Sequence, residues 1–174
     1  MACYEFDGKV PVIGEGSFVH ENANVVGDVE IGVECFIGSG AVLRGDLGSI
    51  RVGNRSNIQD NCTLHVNPGM VCSVGDNCTV GHGAVLHGCT VESGALIGMN
   101  AVVSDGGVVG AGSVVAEGAV VRGRQVIPAG KVAAGVPAKI IGDVSGGHRE
   151  IIEIGNKMYI ALVKKYLSGS KRIS

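Results

Sequence analysis

The chain has 174 residues and a formal net charge of −2, with a pI near 6.2. That length supports one domain with at most a small appendage, and the charge leaves no basic stripe for nucleic acid. Glycine takes 30 positions without a Gly-X-Y period, and 45% of residues are hydrophobic, which excludes collagen-like and disordered chains.

No apolar run approaches the ~18 residues that span a bilayer, so no membrane partner is expected. The first residues, MACYEFDGKV, lack the basic start and apolar stretch of an export signal. Six cysteines without a CxxC pair fit free thiols, and a cytoplasmic location is expected.

Residues 1–10 are read as a short N-terminal strand. From Ile13 an aliphatic residue recurs every sixth position, through Val19, Val25, Ile31, Ile37 and Leu43. The stride resumes at Val52, Ile58 and Leu64, at Val74, Val80 and Leu86, and then from Val91 to Ile127. The residue at i+4 is small, as at Ala23, Ala41, Ala84 and Ala101, and glycine often fills i+1. Cys35, Cys62 and Cys78 occupy the i+4 slot, which gives them a packing role; Cys3, Cys72 and Cys89 have none assigned.

A period of six is neither the 3.6 of a helix nor the 2 of a strand. Over residues 11–136 it resembles the hexapeptide-repeat, or left-handed parallel β-helix, family, in which three hexapeptides make one triangular coil. The resemblance implies an all-β triangular prism, with the aliphatic at i and the small residue at i+4 facing inward and glycine relieving the corners. The expected division is a β-helix over residues 1–136 and an exit segment with a C-terminal α-helix over 137–174. Ile151, Ile154, Met158, Ala161, Leu162 and Val163 give that helix one apolar face over 148–168, to pack on the prism or on a neighbouring subunit.

Three breaks interrupt the stride. RGDLGSIR and HVNPGMVCS are read as loops bulging from the prism, and Leu86 to Val91 is one residue short. Counting coils through these breaks sorts the polar residues into columns. Arg44, His65 and His87 each follow their aliphatic directly and stack one coil apart, near the ~4.8 Å inter-strand spacing. Asp60 and His82 each sit two after theirs, in a second column on another face, with Gln59 beside Asp60. His65 and His87 can therefore share one metal ion, while His82 reaches it most simply from another copy of the chain. A homotrimer with metal at the subunit interfaces follows. His20 lies on the wrong face and His148 opens the terminal helix, so neither joins the site.

LRGD at 43–46, NIQDN at 57–61, LH at 64–65 and GHGAVLHG at 81–88 resemble the γ-class carbonic anhydrases and their relatives. The resemblance implies a homotrimer with interfacial Zn²⁺ (alternatively Fe²⁺ or Co²⁺), held by His65 and His87 of one subunit and His82 of the next. It implies reversible hydration of CO₂ to bicarbonate by a metal-activated hydroxide. Gln59 would orient the hydroxide and Asn57 would position CO₂. Arg44, Asp46 and Asp60 would form ion pairs at the interface, and Tyr159 would lie near the site. The chain departs from the active enzymes in one respect: neither break carries an acidic proton shuttle beyond Asp46, which points to weak turnover.

Two other readings stand beside this one. The same prism hosts acyltransferases that use acetyl-CoA, and AGVPAK at 134–139 resembles their exit segment. A trimer that binds metal or assembles without catalysis is the third.

Overall fold

Leu43 pairs with Leu64, Leu64 with Leu86, Leu86 with Val103 and Val103 with Val121, each directly above the last in parallel register. All five side chains are fully buried. Burying a side chain of this size contributes about 1.5–3 kcal/mol, and the stacked column supplies it at every rung. The structure, a computed structural model, describes residues 2–171 and 173. It is a left-handed parallel β-helix with one C-terminal helix, as the hexapeptide stride predicts.

Three faces form the prism. The first carries Thr63–His65, Val85–His87, Val102–Val103 and Val120–Val121. The second carries Val71–Val74, Thr90–Val91, Val108–Val109 and Val126–Ile127. Val42–Val52 bends around the corner between them and joins the two into one twelve-stranded sheet. The third face is a separate sheet that includes Phe36–Ile37, Asn57–Ile58, Thr79–Val80 and Leu96–Ile97. At the N-terminus, Ala2–Tyr4 is a strand paired with Asn24–Val26, and Phe6 and Lys9 bridge to each other.

The small inward slot behaves as expected. Cys35, Cys62 and Cys78 are fully buried, and their thiols donate to backbone carbonyls of the next coil at 3.1–3.2 Å. Burial pushes the Cys62 and Cys78 thiols up to about 11, away from any reactive thiolate. Cys72 and Cys89 are also buried, and all six cysteines are free.

Glycine at i+1 has a different cause from the one expected. Gly32 and Gly53 do not have left-handed backbone; the stacked coils leave no room for a Cβ. A Cβ on Gly53 would lie 2.5 Å from the Gly75 carbonyl carbon. The left-handed corner residue is instead at i+3, where Asn61, Asn77 and Asn100 have φ of 54–60°.

The first break is no loop. Residues 42–52 form one continuous strand, and the extra length is taken up as an irregularity opposite Asp28. The second leaves the prism as a turn at Asn67–Met70 and packs on the first, with the Gly69 amide donating to the Leu47 carbonyl.

The terminal helix spans Gly146–Gly169. Ser145 caps it, its hydroxyl accepting from the His148 amide while His148 Nδ1 accepts from the Ser145 amide. The expected apolar face is rotated. Ile151, Ile154 and Met158 are well exposed, whereas Asn156 and Val163 are buried on the prism side. Aromatic rings set the docking angle: Phe18 stacks on Tyr166 at 4.6 Å and Phe36 meets Tyr159 at 5.0 Å. Asn156 Nδ2 adds a bond to the Arg55 carbonyl at 3.0 Å. Within the expected exit segment, Lys139–Asp143 is a strand that runs antiparallel to Lys131–Ala134 and ends the ladder, with Lys131 paired to Asp143.

Candidate metal centre

Parallel register places His87 on His65, with their neighbours Leu86 and Leu64 stacked behind them in the core. The side chains follow the backbone: His65 Nδ1 lies 3.1 Å from His87 Nε2. Each ring is held from its far side by a carboxylate. His65 Nε2 donates to Asp46 Oδ1 at 3.0 Å, and His87 Nδ1 donates to Asp105 Oδ1 at 2.6 Å. Arg44 Nη1 donates to the other Asp46 oxygen at 2.6 Å.

These bonds fix the tautomers. With Nε2 of His65 and Nδ1 of His87 carrying the protons, both facing nitrogens of the neutral rings bear lone pairs. Two lone pairs opposed across 3.1 Å repel when both rings are neutral, and a cation between them, a proton or a metal ion, relieves the repulsion. A tetrahedral metal with nitrogen ligands at ~2.0–2.1 Å sets its ligand atoms roughly 3.3 Å apart, close to the spacing present. Carboxylates behind ligating imidazoles are the usual support for such a site. The donor set fits a divalent metal.

Burial pushes the Asp46 carboxyl up, but hydrogen bonds from Arg44 and His65 outweigh it and hold the group below its ordinary value. Asp46 therefore stays ionised as the acceptor for His65. Arg44 is bonded to Asp46 of its own chain, and Asp60 is engaged elsewhere.

His82 stands at a different corner, between the third and first faces. Its Nδ1 lies 3.3 Å from Asp60 Oδ2, and Asp60 is itself fixed by the Ser39 amide at 2.7 Å. Among the described residues of one chain, no three His, Cys, Asp or Glu side chains converge as a metal site. Gln59 is nearly buried beside His82: its Oε1 accepts from the His82 amide at 3.3 Å and its Nε2 donates to Asn57 Oδ1 at 3.0 Å. Asn57, expected at the substrate, is 1% exposed, and its amide is committed to Thr79 Oγ1 and the Cys78 carbonyl. What the structure gives Asn57 is the orientation of Gln59. Tyr159 shares with Gln59, His82, Met99 and Met158 a cavity of about 310 Å³ under the helix. Burial and the nearby Asp60 carboxylate raise the Tyr159 hydroxyl above its ordinary value.

Asp105, which backs His87, is a further candidate outside the set the sequence singles out. It follows Val103 by two positions, and Val103 stacks on Leu86, so the column count places it one coil above the His87 corner.

Fold and corner together define a hexapeptide-repeat protein with a stacked histidine pair at one corner. Residues 11–45 match the family described as bacterial transferase hexapeptide (six repeats). Carnitine operon protein CaiE of Escherichia coli O7:K1 is 39% identical over 163 residues, 94% of this chain and 83% of that protein. The chain belongs to the CaiE-like family of the hexapeptide-repeat transferase superfamily. With the same-named protein of Escherichia coli O157:H7 the match is 45% over 103 residues, so the chain spans about half of that relative's length (53%). Among solved structures, a Bacillus cereus protein provisionally described as an acetyltransferase is 34% identical with a TM-score of 0.95, covering 97% of this chain and 98% of the other. A hexapeptide transferase family protein from Anaplasma phagocytophilum is 33% identical with a TM-score of 0.91, covering 95% and 98%.

Proposed function

We propose that the chain forms a homotrimer that holds a divalent metal between His65 and His87 of one subunit and His82 of the next, and hydrates CO₂ reversibly there. The opposed lone pairs of His65 and His87, each backed by an aspartate, carry this reading. When bound, Zn²⁺, Fe²⁺ or Co²⁺ supplies Lewis acidity toward water. Asp46 and Asp105 keep the two rings in the tautomers that present lone pairs, and Asp60 orients His82. Gln59, braced by Asn57 and bonded to the His82 amide, is the group placed to orient a small polar substrate. The exposed Ile151, Ile154 and Met158 stripe supports burial against a neighbouring subunit. Six free thiols support a reducing compartment, and no helix among the described residues is long and apolar enough to cross a membrane.

The test is metal content per chain together with stopped-flow CO₂ hydration on anaerobically purified protein. About one metal per chain, with turnover abolished in His82→Ala, is expected. Metal without turnover moves the reading to a binding or assembly trimer. A second reading, acyl transfer from acetyl-CoA, is favoured by the transferase descriptions of the two solved neighbours. Saturable acetyl-CoA binding by protein free of metal would establish it in place of the first.

A further inference from the structure

The histidines use two of the three corners of the prism. The remaining corner, between the second and third faces, stacks Arg55, Asn77, Gly94, Gly112 and Gly130 one per coil, all with left-handed backbone. A cavity of about 490 Å³ opens between this corner and the first half of the terminal helix. That volume is in the range of small-molecule sites, about 300–1,000 Å³.

We propose that this cavity binds an organic anion with an apolar body and a single carboxylate or phosphate head. The glycines leave bare backbone as the floor, and Ile152 and Ile160 of the helix line the cavity with apolar surface. The floor amides are spent on the coil ladder, as in Gly112 to the Ser93 carbonyl and Gly130 to the Ala111 carbonyl, so recognition falls to side chains. Arg55 and Arg149 line the cavity, and neither lies within 4.0 Å of a carboxylate among the described residues. Glu153, the acidic residue of the lining, is taken by Lys157 at 2.6 Å. Arg149 sits near the helix N-terminus, where the dipole is already positive and no acidic residue occupies the first turn. The balance is two guanidinium groups without a carboxylate partner, Arg55 braced by Asn77 Oδ1 at 3.0 Å, beside the apolar Ile152 and Ile160, the complement of an amphipathic anion.

This site is independent of the metal reading. In a ring of copies that brings His82 to His65 and His87, the first face turns inward and the third corner faces solvent.

The test is isothermal titration of the full chain with octanoate and with octyl phosphate, using 1-octanol as the neutral probe. Saturable binding of at least one anion at one site per chain is expected, and the tighter of the two identifies the head group. Arg149→Gln should weaken it about tenfold, the scale of one charge-assisted bond. Ala111→Leu, an exposed position on the cavity lining, should abolish it, with an unchanged thermal midpoint confirming the fold. His82→Ala should bind as the parent does. Absence of saturable binding by both anions overturns the proposal. So does octanol binding as tightly as octanoate, indifference to Arg149→Gln and Ala111→Leu, or loss of binding in His82→Ala.

Discussion

Leu86 and His87 are adjacent on one strand, and they show how this molecule separates structure from chemistry. Leu86 points inward, is fully buried, and stacks between Leu64 and Val103. His87 points to the corner and stacks on His65. The inward column fixes the register because a slip of one residue would turn every aliphatic outward. The corner column inherits that register without contributing to it. A polar residue at i+1 or i+2 is therefore placed as accurately as the core beside it, while its identity remains open.

The sharpest way to break this comparison is to truncate each neighbour. His87→Ala should leave the thermal midpoint of the metal-free protein within a few degrees and drop metal content from about one per chain to a small fraction. Leu86→Ala should destabilise the fold by about 2–5 kcal/mol, read by chemical denaturation. If Leu86→Ala proves the milder change for the fold, the division of roles between core and corner is wrong.

A smaller effect tests the support behind the ring. Asp105→Asn keeps the shape but removes the charge that holds His87 Nδ1–H. Metal affinity should fall about 10–100-fold in a competitive chelator titration. An unchanged affinity would make Asp105 a bystander.

The smallest effect is a pH dependence. Asp46 is held below its ordinary value in the folded chain, so its contribution is present above the unfolded carboxylate pKa and is lost as pH falls through the lower folded one. Carboxyl NMR should find Asp46 titrating below the ordinary aspartate value of about 3.9, and Arg44→Ala should move its midpoint upward.

Legibility followed the same line. The aliphatic stride and the small i+4 slot were readable because stacking repeats the same demand at every coil. The columns holding His65, His87, Asp60 and His82 were readable once the breaks were counted. Asp105 is legible by the same count carried to the next coil, two positions after Val103. The reason for glycine at i+1 was hidden, because it arises from the approach of the next coil rather than from local backbone. The helix was least legible. Its apolar residues are spread around the axis, and the buried side was chosen by Phe18 and Phe36, more than a hundred residues away. The committed amide of Asn57 was invisible for a similar reason, since Thr79 comes from the neighbouring coil.

The last strand, Lys139–Asp143, runs against the direction of every other rung on its sheet, with a register irregularity at Val132/Ala133. A stack of parallel coils would otherwise end in a template on which another copy could continue the ladder. Reversing the final strand, and placing Lys139 and Asp143 at its ends, removes the match to an incoming parallel coil. On this face the strand acts as a stop that an incoming parallel coil cannot extend.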